Sequence, residues 1–320
     1  MCRVLGYLGP RVGVDELLTK PANSLVNQTF DAEYHDLMQL AGTGLASWDA
    51  GGRTAEKPFI YRSCQPAFYD RSLHALSKQL STTNLLAHVR ATGYSQASSI
   101  NDDNCHPFLY PNYRLALAHN GGLPGWRDML RDIVGACKPQ VVRHLTGSTD
   151  TEPLYCLLMS QYEDPTADMK PDEIIAGLSS FMKVIRDLKK RHDNRGIAKL
   201  KFFLADGNDL VVANIGLGFD FAQDIEGDFD EWRRAPKGSR ELKLAGVIEP
   251  VWHLAGRGYG LKGDRYGMDA VGGDNPDTII ISSEHLTDNS KDWQPVPFQH
   301  VVFFRREESG CSVQVQRLDF

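Results

Sequence analysis

A chain of 320 residues with 42% hydrophobic and 24% charged side chains has the composition of a folded globular protein, with enough apolar material for one large core or two modest ones. The net charge of -6 gives no general attraction to phosphate backbones or anionic membranes, which need clustered Lys and Arg, so neither nucleic acid nor a membrane is expected as a partner. No apolar run approaches the roughly 20 residues needed to cross a bilayer.

Residues 2–9, CRVLGYLG, form an apolar, glycine-containing run that reads as a short buried strand. A strand beginning at the second residue is unusual, because chain ends normally fray. The start also lacks the long apolar region and cleavage site of a signal peptide, so the N-terminus is expected to stay with the mature protein. Further strands are expected at 85–90 (LLAHVR) and 115–119 (LALAH), each ending in polar residues that would converge at one rim of a sheet. Helical spacing marks 125–136 and 151–162. The clearest helix runs over 172–190, where Ile174, Ile175, Leu178, Phe181, Met182, Ile185 and Leu188 make one apolar stripe and Arg186, Lys189 and Lys190 sit where the dipole favours cations. That stripe reads as core. A hairpin follows, KFFLA and LVVANI joined through Asp206-Gly207-Asn208-Asp209, and then strands at 278–282, 300–304 and 312–318.

This order mixes strands and helices without a regular βαβ alternation, which favours an α+β layered fold. The charge-dense stretch 221–243 and the stretch 254–276, with seven of the 29 glycines, read as surface excursions. Nothing divides the chain, so a single domain over 2–320 is expected. Six cysteines, Cys2, Cys64, Cys105, Cys137, Cys156 and Cys311, are scattered without CxxC pairs, which suits a reducing cytosol.

Cys2 follows the initiator Met, and removal of Met1 would leave thiol and α-amino group on one residue. A thiol pKa near 8.5 and an α-amine near 8 let the amine take the thiol proton close to neutrality, with no separate catalytic histidine. A cysteine at position 2 is uninformative alone. The stretch Ala118-His119-Asn120-Gly121-Gly122 directly follows an apolar strand and reads as a tight turn. The Asn120 amide and the Gly121 N–H are also two donors able to face one developing oxyanion. His88 and Arg90 share one strand face, and an Arg at a rim suits a substrate carboxylate or a structural ion pair. Cys105-His106-Pro107-Phe108 could join His88 or His119, but no spacing matches a zinc motif, so neither metal nor cofactor is expected. In Gly147-Ser148-Thr149-Asp150-Thr151-Glu152, Asp or Ser reads as an N-cap, and an Asp at a rim could instead hold an ammonium group. Arg for a carboxylate and Asp for an ammonium together describe an α-amino-acid end, and with an amide they describe a glutamyl group.

Taken in order, Cys2, His88-Val89-Arg90, Cys105-His106-Pro107-Phe108, Ala118-His119-Asn120-Gly121-Gly122 and Gly147-Ser148-Thr149-Asp150-Thr151-Glu152 resemble the class II glutamine amidotransferases, which are N-terminal-nucleophile (Ntn) hydrolases. The closer likeness is to stand-alone ergothioneine-pathway γ-glutamyl amidohydrolases and to the amidotransferase-like subunit of the glutathione-degradation complex. MCRVLGYLG, LLTKPANSLVNQTFDAE, ISSEHL and DWQPVP extend it over most of the chain. The resemblance implies a four-layer αββα sandwich, two antiparallel sheets between helices. It also implies Cys2 as nucleophile and base, Asn120 and Gly121 as the oxyanion hole, Arg90 on the α-carboxylate, Asp150 on the α-amino group and His106 lining the glutamyl pocket. Two departures stand out. The acidic residue that the family carries near 39–44 is absent from Gln39-Leu40-Ala41-Gly42-Thr43-Gly44, and a Thr follows Arg90 sooner than usual, in Arg90-Ala91-Thr92-Gly93.

The expected reaction is hydrolysis of a γ-glutamyl amide, a small-molecule substrate, through a glutamyl thioester on Cys2. Three rivals stay open: an ammonia-donating subunit of a separate synthase, a non-catalytic γ-glutamyl-binding regulatory subunit, and an acylase for other amides. The leaving amine, and whether the chain works with a partner subunit or as a homo-oligomer, are not legible in the sequence.

Overall fold

The computed structural model describes residues 2–33, 37–92, 100–218, 220, 231, 234–235, 248–270, 275–287 and 290–320. Its strands are β1 (Arg3–Gly13), β2 (Thr43–Trp48), β3 (Phe59–Ser63), β4 (Ser81–Val89), β5 (Ala116–Gly122), β6 (Ala198–Ala205), β7 (Asp209–Leu217), β8 (Trp252–Lys262), β9 (Arg265–Ala270), β10 (Thr278–Ser282), β11 (Gln294–Pro295), β12 (His300–Glu307) and β13 (Gly310–Arg317). They make two sheets. One runs β11-β8-β10-β1-β4-β2-β3 with β9 paired to β8, and the other runs β13-β12-β7-β6-β5. Every pairing is antiparallel. The helices are α1 (Asp15–Leu18), α2 (Arg71–Ser77), α3 (Trp126–Gly135), α4 (Pro139–Val142), α5 (Thr151–Met159) and α6 (Pro171–Arg191).

Alternation along β1 shows how the layers are built. Val4 and Leu8 pack between the sheets against Phe203, Leu210 and Val302, while Leu5 and Tyr7 face the other way onto Leu17, Leu18 and Leu73 of α1 and α2. A strand buried on both faces reads as an unbroken apolar run, which is why period-2 alternation is invisible in CRVLGYLG. On the far side the α6 stripe, Ile174 to Leu188, packs with α3 and α5 onto Phe202, Leu204 and Ala213 of the second sheet. Each such side chain contributes about 1.5–3 kcal/mol on burial. The result is the α+β, four-layer αββα sandwich expected. Helix α6 begins with Pro171 at its first position, and Glu173 Oε2 accepts the Lys170 N–H at 2.7 Å.

The chain start does not fray because β1 lies between two partners, with Leu5 opposite both Ala87 of β4 and Ser282 of β10. Cys2 is thus delivered to the rim at which β4 and β10 end. Leu254 to Gly256, the start of the stretch expected as an excursion, are paired sheet opposite Ile280 to Thr278, and Gly256 lets Met268 and the Asp269 carbonyl approach the backbone. Beyond Gly256, β8 pairs with β9, and Tyr259 packs on Tyr7 and donates to the Glu16 carbonyl at 2.8 Å. The stretch 221–243 lies almost wholly outside the described residues, as does Gly93.

Candidate active site

Cys2, Arg90, His106, Gly121 and Asp150, scattered through the sequence, line one cavity of about 730 Å³. Cys2 is half-buried just before β1, and the Ala91 N–H approaches its Sγ at 3.4 Å. Arg3 Nη1 donates to the Cys2 carbonyl at 3.1 Å. Arg3 is in turn held by Glu284, its Nε 2.8 Å and its Nη2 2.7 Å from Oε1, in a fully buried ion pair.

Asn120 and Gly121 do not form a turn. Strand β5 continues through them, pairing Asn120 with Lys201 and Gly121 with Leu200 of β6. Gly121 holds φ at 150°, and a Cβ there would meet the Lys199 carbonyl oxygen at 1.8 Å, so only glycine keeps this edge of the ladder closed. The buried Asn120 amide faces the other sheet, where Nδ2 donates to Ser283 Oγ at 3.4 Å, while Oδ1 has no partner among the described residues. Asn120 borders the cavity through its neighbour and does not itself line it.

Arg90 follows β4 and is held through its backbone: its N–H donates to the Gly42 carbonyl at 2.8 Å and its carbonyl accepts the Ala41 N–H at 2.9 Å. The segment lacking the family's acidic residue is therefore bonded directly to the arginine. Asp150 occupies the N-cap position of α5 but makes no capping bond, contrary to the simplest sequence expectation. Its Oδ2 instead accepts the Leu123 N–H at 2.9 Å. Glu152 does the local work, accepting the N–H groups of Thr146 at 3.0 Å and Gly147 at 2.5 Å, and Asn104 Oδ1 accepts the Ser148 N–H at 2.8 Å. These bonds fix the loop that carries Asp150.

Three histidines cluster at the cavity, His106 and His119 in its lining and His88 behind them. His88 and His106 lie ring to ring at 4.1 Å, and His106 Nδ1 accepts the His119 N–H at 3.3 Å. His119 Nδ1 is 3.0 Å from Thr151 Oγ1. Burial, helped by the Arg90 charge, pushes His88 down to about 3. Burial lowers His106 well below its ordinary value and lowers His119 against the opposing pull of Asp150. Uncharged imidazoles pack there at neutral pH. Among the described residues no group of three or more His, Cys, Asp or Glu is arranged to hold a metal ion.

The cavity is also lined by residues to which the sequence reading gave no role. Trp126 and Lys199 line it, with Lys199 pushed down to about 8 by burial. The buried hydroxyls of Thr92 and Thr149 open onto it without partners among the described residues. Thr149 stood inside a motif already in view, and Thr92 lies two positions after Arg90. Lys199 reaches the site only through the β5–β6 register, which no local pattern reveals.

The pattern of the family described as "Glutamine amidotransferases class-II" matches residues 30–216, more than half of the chain. The chain belongs to this family. Over 96% of its length it is 26% identical to "Probable glutamine amidotransferase DUG3" of Saccharomyces cerevisiae, covering 82% of that protein. It is 31% identical over 123 residues, 38% of this chain and 49% of the relative, to "Gamma-glutamyl-hercynylcysteine sulfoxide hydrolase" of Mycobacterium tuberculosis. Among solved structures, a glutamine aminotransferase class-II domain protein from Silicibacter pomeroyi shares the fold over the whole of both chains, with a TM-score of 0.57 at 17% identity. Glutamine phosphoribosylpyrophosphate amidotransferase from B. subtilis shares it over all of this chain and 50% of its own, with a TM-score of 0.52 at 15% identity. The chain is accordingly an enzyme of the class II amidotransferase family, and no described helix is long and apolar enough to cross a membrane.

Proposed function

We propose that this enzyme hydrolyses a γ-glutamyl amide with Cys2 as nucleophile. The observation that carries the reading is the shared cavity: a thiol, an arginine, a carboxylate and a glycine at the end of β5 converge there from four separate segments. With Met1 removed, the Cys2 α-amine takes the thiol proton, and the thiolate attacks the amide carbonyl carbon. The oxyanion faces the Asn120 amide and the Gly121 N–H, while Arg90 takes the substrate α-carboxylate and Asp150 its α-ammonium. Collapse breaks the C–N bond, the proton passes from the ammonium of Cys2 to the departing amine, and a glutamyl thioester remains. Water, deprotonated by the same amine, then releases glutamate and restores the thiol.

The neutral histidines support this division of labour, since His106, the only one of them proposed to border the glutamyl group, shapes the pocket without adding charge. The relative named as a γ-glutamyl conjugate hydrolase supports a fate in which water takes the acyl group. The relative named as a probable amidotransferase, similar over 96% of the chain, supports a second fate in which the released ammonia goes to an acceptor on a partner protein. Steady-state assays with glutamine and γ-glutamyl amides test the chemistry. Cys2→Ala should abolish turnover, and Asn120→Ala should lower kcat on the order of a hundredfold. Undiminished hydrolysis by Cys2→Ala would sink the proposal, and ammonia formed only with an added partner protein would favour the second fate.

A further inference from the structure

The ISSEHL stretch has no part in the chemistry above, yet its Ser283 touches both halves of the site. Strand β10 ends at Ser282 beside the start of β1, and the next residue extends the ladder by one side chain. Ser283 N–H donates to the Val4 carbonyl at 3.1 Å, and the Val4 N–H donates to Ser283 Oγ at 3.0 Å in place of a backbone acceptor. The same hydroxyl oxygen accepts the Asn120 Nδ2 at 3.4 Å from the opposite sheet. One buried oxygen therefore ties the strand that delivers Cys2 to the amide that faces the oxyanion. Glu284 anchors the other side of the nucleophile, through Arg3 to the Cys2 carbonyl, and its Oε2 accepts the Glu33 N–H at 2.8 Å.

We propose that Ser283 is a positioning residue that orients the Asn120 amide relative to Cys2, an inference that rests on Cys2 and Asn120 carrying the chemistry. A hydroxyl suits this place better than any apolar side chain of its size. It accepts from Nδ2 in the orientation seen here and can donate its own proton to Oδ1 if the amide turns over, so neither orientation leaves Asn120 unanchored. Asn120 Oδ1 is buried without a partner among the described residues, so the contact with Ser283 is the side-chain tether that holds the amide in place there.

The test is a double-mutant cycle with Ser283→Ala, Asn120→Ala and both together, reading kcat and KM for glutamine hydrolysis, Cys2 alkylation by iodoacetamide and thermal unfolding. Ser283→Ala is expected to lower kcat by ten- to a hundredfold with KM within threefold and the alkylation rate within twofold of wild type, and to cost nothing further in the Asn120→Ala background. If Ser283→Ala does not fold, Ser283→Cys is used in the same cycle, with a smaller kcat loss expected because a thiol bonds weakly. A kcat within twofold of wild type, or the full loss repeated on top of Asn120→Ala, would overturn the inference. Failure of the underlying reading looks different: Asn120→Ala alone would then keep wild-type kcat.

Discussion

Replacing Asp150 by Asn separates its proposed charge role from its structural one. Oδ2 accepts the Leu123 N–H at 2.9 Å, a bond that the Asn carbonyl oxygen can keep, so the loop should hold its shape. The amide NH₂ then replaces the other carboxylate oxygen, setting a donor against the donors of a substrate ammonium. A hydrogen bond to a charged group contributes about 1.5–3 kcal/mol, which at about 1.4 kcal/mol per decade is a loss of roughly 10- to 150-fold in kcat/KM for glutamine. Glutaramate, the same amide without the α-amino group, supplies the control. Its slow hydrolysis should change by less than about threefold between wild type and Asp150→Asn. Equal losses with both substrates would show that Asp150 acts only by holding Leu123, and the amino-acid assignment of the pocket would fall.

The buried histidines set a pH dependence of stability. A depressed pKa means that the folded state resists a proton which the unfolded chain accepts near 6.5, so stability is complete above that pH and falls as acid is added towards the folded value. For His88, held at about 3, the loss at pH 4.5 is about 3 kcal/mol. Urea unfolding at pH 7 and 4.5 should show it, and His88→Gln should flatten the slope even if it lowers stability at both; an unchanged slope would contradict the assignment. Gly44→Ala would place a Cβ 2.2 Å from the His106 carbonyl oxygen and should cost about 2 kcal/mol or more, with loss of turnover, whereas Gly260→Ala in β8 meets nothing within 4 Å and should stay within about 0.5 kcal/mol. Similar stabilities for the two variants would contradict the close packing described here.

The elements legible in the sequence were those whose apolar residues are consecutive or helically spaced: β1, the β6–β7 hairpin and α6. Their limits were less so. β1 runs on to Gly13 because an irregularity between Leu8 and Val12 carries Pro10 and Arg11 past the ladder. β4 starts at Ser81 rather than 85 because buried polar side chains find partners across the fold: Thr82 Oγ1 bonds the Trp48 carbonyl at 3.1 Å and Asn84 Nδ2 the Asp209 carbonyl at 2.9 Å. β2, TGLASW, gave no signal, since its small and polar residues look like a loop until β3 and β4 flank it. Arg90, Asp150 and Asn120-Gly121 were readable as residue types that chemistry wants. Their convergence is a property of the two-sheet frame, and so are the places of Ser283, Lys199 and the hydroxyls of Thr92 and Thr149.

Whether Cys2 is the nucleophile is read by intact-protein mass spectrometry before and after treatment with a glutamine-derived diazoketone, run beside Cys2→Ala. A Cys2 nucleophile with a free α-amine predicts a chain lacking Met1 that gains a single adduct, localised to Cys2 and absent from the variant. A chain that keeps Met1, or an adduct that survives in Cys2→Ala, would contradict it.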